Sequence, residues 1–169
     1  MSNIYLVGFM CSGKTTIGKL LSKETGLKFV DIDKLIEEET KTEIADIFKN
    51  YGEEYFRQLE KEKMKEISQK KGLIVSTGGG LGADIENMNL MKKTGTVIWL
   101  KVSLDTVLKR CINDKTRPIL NLPKDKLTQL FKERETIYKL ADFKIDTEKQ
   151  TPEDTVKEIT FLLKLAGIL

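Results

Sequence analysis

The sequence contains no histidine and has only two cysteines, three prolines and one tryptophan in 169 residues. The absence of histidine excludes a histidine general base, a histidine zinc ligand and a Ser-His-Asp triad, so acid–base work must fall to Asp, Glu, Lys or Tyr. Two cysteines, Cys11 and Cys111, are too few for a disulfide framework and are typical of a protein of the reducing cytoplasm. We expect Cys11 to be an inert small filler.

Long apolar runs and blocks of like charge are also missing. The apolar run 4–10 is too short to span a bilayer and lacks the basic region and cleavage site of a signal peptide. The net charge of +3 arises from 29 basic and 26 acidic residues spread along the chain, so we expect no nucleic acid and no membrane as partner. The length fits one domain with its own core, and we expect a monomer.

Short apolar runs alternate with longer segments of helical periodicity. This pattern predicts an α/β fold with a parallel sheet covered by helices on both faces. We expect Gly26 to end the first helix, and Thr151 with Pro152 to begin the last one. The polar, aperiodic stretch at about 111–123 predicts a mobile lid. The predicted strands are Ile4–Val7, Lys28–Ile32, Leu73–Ser76, Val97–Val102 and Phe143–Ile145.

The most informative motif is Gly-x-x-x-x-Gly-Lys-Thr, which runs from Gly8 to Thr15 between the first strand and an amphipathic helix. It is the pattern of a phosphate-binding loop, whose glycines let backbone N–H groups surround a phosphate. Lys14 would add a charge at the β- and γ-phosphates, and the Thr15 hydroxyl would bind Mg²⁺. The motif predicts nucleotide binding by the loop and the start of the helix, through Cys11, Ser12, Gly13, Lys14, Thr15 and Thr16.

Asp31 and Asp33 are predicted to end the second strand, and a run of glycines follows the third. Asp31 and Asp33 are two residues apart on a strand and should point to one face, at the sheet edge where α/β proteins bind ligands. One carboxylate would hold Mg²⁺ through water and the other would take the proton of an attacking hydroxyl, although turn or capping roles are the alternative. The run Gly78–Gly80 indicates a backbone that approaches a ligand or needs positive φ, near Lys14.

Arginine is scarce here, and lysine is heavily preferred. Because two-pronged binding of a carboxylate or phosphate needs arginine, we rank the arginines above the lysines as site residues, with solvated helix surface as the alternative. Arg117 falls in the predicted lid, from which a cation would reach the phosphates. The four arginines are Arg57, Arg110, Arg117 and Arg134.

These blocks together resemble the shikimate kinase family, a P-loop group similar to the nucleoside monophosphate kinases. The resemblance covers the whole chain. It implies one kinase domain over 1–169, a three-layer sandwich with a five-stranded parallel sheet in the order 2-3-1-4-5, and a shikimate-binding helical region at about 33–61. It rests on the order and spacing of the phosphate loop, Asp31-Ile32-Asp33, Phe56-Arg57-Gln58-Leu59-Glu60, Thr77-Gly78-Gly79-Gly80, Arg117-Pro118-Ile119-Leu120 and Glu133-Arg134 with Tyr138.

The resemblance also implies an activity and a role for each matching residue. The family transfers the γ-phosphoryl group of ATP to the 3-hydroxyl of shikimate with Mg²⁺. Asp33 matches the residue that binds and activates this hydroxyl, helped by Lys14 and Arg117, and Asp31 would organise Mg²⁺ with Thr15. The matching shikimate contacts are Arg57, Glu60, Gly78, Gly79, Gly80 and Arg134, with Glu60 orienting Arg57.

On the ATP side, the resemblance puts adenine between Arg110 and Pro152 and brings Arg117 to the phosphates. Cys11 stands where the family often has glycine or another small residue. Because the loop binds phosphate through backbone N–H groups, we expect binding to survive this departure.

Other functions are possible for a chain with a phosphate loop. A gluconate or nucleotide kinase of the same fold is one alternative, and a non-catalytic nucleotide-binding module is another. Two arginines with Asp33 favour a carboxylate-bearing alcohol, and no motif for a nucleobase pocket is visible. The sequence lacks the Asn-Lys-x-Asp and Asp-x-x-Gly motifs of a GTPase and has no Asp-Glu dipeptide of an ATP-driven motor.

Overall fold

Alternating apolar and amphipathic segments give this chain a strand–helix alternation from its first residues to its last. A computed structural model describes residues 2–112 and 118–169. The strands within these ranges are β1 Asn3–Val7, β2 Lys28–Asp31, β3 Leu73–Ser76, β4 Gly95–Lys101 and β5 Phe143–Asp146. The helices are α1 Lys14–Thr25, α2 Ile32–Thr40, α3 Ile44–Tyr51, α4 Glu53–Ser68, α5 Ile85–Thr94, α6 Leu104–Arg110, α7 Lys124–Tyr138 and α8 Pro152–Leu165, with a 3₁₀ turn at Pro118–Asn121.

The five strands form one parallel sheet in the order β2-β3-β1-β4-β5, which confirms the predicted fold class and strand order. In the register of the central strands, Leu6 lies opposite Ser76 on one side and Ile98 on the other. The carboxyl ends of β1, β2 and β3 therefore meet at one edge of the sheet. Asp31 lies at this edge, and the phosphate loop and the glycine run both start from it.

The core consists of two apolar clusters, one on each face of the sheet. Side chains of a strand alternate between faces, so Ile4 and Leu6 pack against α1 and α8, while Tyr5 and Val7 face the helices of the other layer. These four side chains are fully buried. The result is the predicted three-layer arrangement of helix, sheet and helix.

Two helix boundaries lie where the sequence predicts them. Gly26 ends α1 in the left-handed region, with φ 79°. Thr151 precedes α8, and its hydroxyl oxygen accepts a hydrogen bond from the N–H of Asp154 at 3.1 Å, while Pro152 occupies the first turn. Side-chain capping and proline at the first turn are strong local signals, which is why these boundaries were predictable.

The prediction that Asp33 ends the second strand is wrong. Strand β2 stops at Asp31, and Asp33 lies in the first turn of α2. The cause is local: the Asp31 carboxylate accepts hydrogen bonds from the N–H groups of Asp33 at 3.0 Å and Lys34 at 3.4 Å, and so caps the helix. The alternative capping role for Asp31 is therefore real, and it places Asp33 beside Asp31 in the first turn of the helix.

Across residues 2–112 and 118–169, every helix is too short or too polar to cross a membrane. Arg117 and the central part of the predicted lid, 113–117, lie outside the described residues.

Candidate active site

The loop between β1 and α1 is wrapped closely enough to surround an anion. Gly8 has φ +154°, and a Cβ on it would lie 2.7 Å from the carbonyl oxygen of Leu100. Gly13 precedes α1 and has no side chain to cap it, so the first N–H groups of the helix face the loop without a side-chain cap. The Ser12 hydroxyl is buried and has no hydrogen-bond partner among the described residues. A bound phosphate would satisfy these donors.

Lys14 is held at the base of this loop. Its ammonium group is nearly buried and donates hydrogen bonds to the carbonyl oxygens of Gly8 at 2.6 Å and Phe9 at 3.0 Å. Burial fixes the position of a positive charge beside the uncapped end of α1. The loop therefore combines backbone donors and one ammonium, the combination that binds the phosphates of a nucleotide.

Thr15 and Asp31 supply the oxygen atoms that suit a magnesium ion. The Thr15 hydroxyl donates a hydrogen bond to the Asp31 carboxylate over 3.2 Å, and both residues line the cavity that also contains Lys14 and Asp33. Mg²⁺ prefers one or two protein oxygens together with water and substrate phosphates, so this donor pair fits the ion. The described residues contain no cluster of three or more His, Cys, Asp or Glu side chains arranged around a metal.

The glycine run Gly78–Gly80 passes directly against charged side chains. A Cβ on the first glycine would lie 3.0 Å from an Asp33 oxygen and 3.1 Å from a Glu60 oxygen. On the second it would lie 3.0 Å from Arg134 Nη1, and on the third it would overlap the guanidinium of Arg57. All three have φ outside the left-handed region, so the reason for glycine is close approach rather than an unusual backbone.

Arg57 on α4 is held by two carboxylates of the same helix. Its guanidinium donates to Glu60 at 2.6 Å and to Glu53 at 3.3 Å, and it lies over the rings of Phe56 and Phe48 at 5.5 and 5.9 Å. These contacts fix the plane of the guanidinium before any substrate binds. Glu60 therefore contacts the guanidinium that the resemblance expects it to orient, and this role stays a prediction.

Arg134 on α7 faces the same cavity as Arg57, together with Glu60, Lys61 and Gly80. It is nearly buried and lies over the Phe9 ring at 5.5 Å. One turn later, the Tyr138 hydroxyl donates a 2.6 Å hydrogen bond to the carbonyl oxygen of Gly79. Tyr138 thus joins α7 to the glycine run, and two cations from different helices converge on one opening.

Burial changes the charge balance of this cavity. It raises the pKa of Glu60 to about 7, outweighing the neighbouring Arg57 charge that favours the ionised carboxylate. It also lowers the pKa of Arg134. Burial lowers the pKa of Arg57 as well, but Glu60 and Glu53 together outweigh it and raise that pKa. A guanidinium remains charged in either case, so the cavity keeps a positive side that suits an organic carboxylate.

A further opening borders the phosphate loop, distinct from the two cavities described above. Arg110 and Pro152 line it together with loop residues, and Arg110 Nη1 donates a 3.1 Å hydrogen bond to the carbonyl oxygen of Cys11; their contact with adenine stays a prediction. Sequence reasoning missed four of its lining residues: Ile17, Thr147, Gln150 and Thr155. Thr147 directly follows β5, so the rule that ligands bind at the carboxyl ends of parallel strands could have found it.

The expectation for the cysteines is wrong. Cys11 is not an isolated filler, because its sulfur is joined to that of Cys111 in a disulfide, with a Cα–Cα distance of 6.3 Å. The two residues are 100 positions apart in the sequence. Their pairing depends on α6 ending beside the phosphate loop, which no local pattern in the sequence indicates.

Comparison with known proteins gives a consistent result. Residues 10–164 match the model of the family described as shikimate kinase. A shikimate kinase of Sulfurihydrogenibium sp. is 56% identical over 97% of this chain and 99% of its own length. The crystal structure of shikimate kinase from Aquifex aeolicus has a TM-score of 0.89 at 43% identity, with 98% of each chain covered. Shikimate kinase from Acinetobacter baumannii, solved in complex with shikimate, has a TM-score of 0.93 at 35% identity and covers 100% of this chain and 96% of its own.

Proposed function

We propose that this chain, which belongs to the shikimate kinase family, transfers the γ-phosphoryl group of ATP to the 3-hydroxyl of shikimate. The chain is an ATP-dependent small-molecule kinase. The observation that carries the proposal is the convergence of Arg57, Arg134 and Asp33 on one glycine run beside the phosphate loop. A phosphate loop alone would fit many nucleotide-binding proteins, whereas this second group of residues fits a small carboxylate-bearing alcohol.

The part of the site that would bind shikimate, which we call the acceptor half, contains two guanidinium groups. Arg57 and Arg134 would bind the carboxylate of shikimate, and Glu60 keeps the Arg57 fork in place through its 2.6 Å hydrogen bond. Gly78 lies so close to Asp33 and Glu60 that a Cβ would crowd both carboxylates, so we propose that the bare backbone of the glycine run forms one wall of the shikimate pocket. Region 33–61, which contains Asp33, Arg57 and Glu60, is therefore our proposed shikimate-binding region.

Asp33 is the proposed general base. Its carboxylate lines the same cavity as Lys14 and the phosphate loop, so a hydroxyl bound there would face both the base and the donor phosphate. Asp33 would accept the hydroxyl proton as the oxygen attacks the γ-phosphorus. Such a base typically contributes about 10²–10⁴-fold to the rate, and positioning and charge stabilisation supply most of the remainder.

The donor half consists of the loop residues 11–16. Backbone N–H groups at the start of α1 and the ammonium of Lys14 would hold the β- and γ-phosphates and stabilise the charge that develops on them. Thr15 and Asp31 are the residues that would hold Mg²⁺. When bound, this ion would neutralise charge on the phosphates of ATP.

The remaining ATP contacts are proposed on the same basis. Arg110 and Pro152 would lie against the two sides of the adenine ring, since they line one opening next to the loop. Arg117 would reach the phosphates from the proposed lid at 111–123. Neither role requires a residue from a second copy of the chain, so we propose that the chain acts as a monomer. Light scattering after gel filtration would measure its mass. We also propose that the chain works in the cytoplasm.

The test is a steady-state panel in which release of ADP by the purified chain is measured with shikimate, gluconate and nucleoside monophosphates as acceptors. We expect kcat/KM to be highest for shikimate by several orders of magnitude. Equal or greater activity with gluconate or a nucleotide would identify a different kinase of the same fold. Binding of ATP without turnover of any acceptor would identify a non-catalytic nucleotide-binding module.

A further inference from the structure

We infer that Cys11 and Cys111 are a reversible oxidation site whose state sets the affinity of the chain for ATP. Their Cα atoms are 6.3 Å apart, within the range of about 4.4–6.8 Å that a disulfide requires, and the structure joins their sulfurs. The inference rests on the proposed function only in taking ATP as the nucleotide. It concerns residues to which phosphoryl transfer itself assigns no side-chain chemistry.

The bridge connects two elements that are far apart in sequence. Cys11 lies in the phosphate loop, and Cys111 directly follows α6, where its N–H donates a 2.9 Å hydrogen bond to the carbonyl oxygen of Val107. The residue before it, Arg110, also bonds to the loop, through the 3.1 Å contact with the Cys11 carbonyl oxygen. The end of α6 is therefore attached to the phosphate loop twice, once by a hydrogen bond and once by a covalent bond.

Both attachments border the opening assigned to ATP. Cys11 and Arg110 line its wall together with Gly13 and Pro152. Cys11 also has φ 58°, a left-handed conformation that is uncommon for a residue with a side chain. The bridge restrains this conformation, so the N–H and carbonyl groups of the loop are ordered before a nucleotide arrives. A site that is ordered in advance loses less conformational entropy on binding.

The chemistry of the switch is thiol–disulfide exchange. Two thiols and one small-molecule disulfide, such as oxidised glutathione, give the Cys11–Cys111 bridge and two small-molecule thiols, so two electrons and two protons pass to the oxidant. In the reverse direction a small-molecule thiolate attacks the sulfur of Cys11, which is partly exposed, rather than that of Cys111, which is only 2% exposed, and Cys111 leaves as a thiolate. A second thiolate then attacks the small-molecule sulfur of this mixed disulfide and releases Cys11, which gives two protein thiols and one small-molecule disulfide. Disulfides in the cytoplasm are usually transient or redox-sensing, and an accessible sulfur at one end permits exchange.

The effect of oxidation and reduction should be confined to nucleotide binding. The shikimate-side groups Arg57, Glu60 and Arg134 lie on α4 and α7, and the contacts described for them are with residues other than Arg110 and Cys111. Reduction should therefore weaken ATP binding by roughly threefold to tenfold, the effect of one or two groups that must be ordered on binding. Shikimate binding should change by less than about twofold, since its contacts are not tied to the bridge.

The test measures ATP binding directly by titration calorimetry without shikimate, so it does not depend on the proposed acceptor. The full chain is treated with oxidised glutathione or with dithiothreitol, and thiols are counted after denaturation. We expect no free thiol after oxidation and two after reduction, with tighter ATP binding in the oxidised state. Cys111→Ala, which keeps a small apolar side chain in the core, cannot form the bridge and, without exposure to oxidised glutathione, should bind ATP like the reduced chain.

Two results would overturn the inference. One is the recovery of two free thiols after treatment with oxidised glutathione, and the other is equal ATP affinity in the oxidised and reduced chain. Both are read from the unmodified sequence, so they hold even where the Cys111→Ala variant does not fold. Failure to phosphorylate shikimate would refute the proposed function and leave this measurement unaffected.

Discussion

At the scale of single residues, the site depends on a few charged side chains that lie against the backbone of a glycine run. Asp33 is the clearest case, because its carboxylate lies against Gly78 and shares a cavity with Lys14. Replacing this carboxylate by the isosteric amide of asparagine would keep the shape and remove the proton acceptor. We therefore treat the carboxylate, and not the space it occupies, as the reacting group.

The first prediction concerns this base. Asp33→Asn should lower kcat with shikimate by about 10²–10⁴-fold, because general-base catalysis is lost. ATP affinity from titration calorimetry should stay within about twofold, since the loop contacts are unchanged. The matched control is Asp46→Asn on α3, outside the residues lining the site cavities. A kcat for Asp33→Asn within about threefold of the original would contradict the assigned role.

Arg57 is the subject of the second prediction. Arg57→Ala should raise KM for shikimate by roughly 10²-fold, because a charge-assisted hydrogen bond contributes about 1.5–3 kcal/mol. Arg57→Lys should recover only part of this affinity, since an ammonium cannot reproduce the fork that contacts Glu60 and Glu53. Steady-state kinetics with each substrate varied would measure both effects. Lys65→Ala, an exposed cation on the same helix, is the control, and an unchanged KM in Arg57→Ala would refute the carboxylate clamp.

At the scale of elements, the helix α7 positions the glycine run as well as carrying Arg134. The Tyr138 hydroxyl at the end of this helix holds the carbonyl oxygen of Gly79 at 2.6 Å. The ring itself is fully buried and packs 6.0 Å from that of Trp99. We therefore expect Tyr138 to be a positioning residue that acts on the proposed shikimate site through Gly79.

The third prediction follows from this contact. Tyr138→Phe keeps the buried ring and removes the hydrogen bond, so the free energy of unfolding should fall by about 0.5–1.5 kcal/mol. KM for shikimate should rise several-fold while KM for ATP stays constant, because the loosened segment belongs to the acceptor half. Urea unfolding and kinetics would measure these changes, with the exposed Tyr51→Phe as control. Loss of stability with no change in KM for shikimate would show a purely structural tyrosine.

Much of the secondary structure could be predicted from the sequence. Strand β3 has its predicted bounds, and the loop motif, Gly26 and Thr151 have their predicted positions because their signals are local. Asp33 was misplaced because a strand end and a helix cap produce the same spacing of two aspartates. The Cys11–Cys111 contact was missed because it depends on tertiary packing over 100 positions.

At the scale of the whole molecule, the buried Glu60 couples the site to stability. Its pKa is raised to about 7 in the folded chain by burial, against about 4.5 when exposed. Between these values the folded state binds more protons than the unfolded state, so the stability that this group contributes is complete below about pH 4.5 and is lost as pH rises through 7. Folding and the acceptor site therefore share one titrating group.

The fourth prediction is the corresponding pH profile. Between pH 5 and pH 8 the free energy of unfolding of the original chain should fall relative to that of Glu60→Gln by on the order of 2–3 kcal/mol. Urea unfolding at several pH values would measure it. Glu62→Gln, which removes an exposed carboxylate from the same helix, should follow the original profile. Parallel profiles for the original chain and Glu60→Gln would show that Glu60 does not titrate in this range.

In the whole molecule, one edge of the sheet brings a donor half and an acceptor half together, so that a phosphoryl group would pass from ATP to one hydroxyl of shikimate. The most direct measurement is proton–phosphorus NMR of the product formed from ATP and shikimate. We predict a single phosphate ester, coupled to the proton on carbon 3 of the ring. A phosphate on another hydroxyl, or release of ADP and free phosphate with shikimate unchanged, would contradict the account.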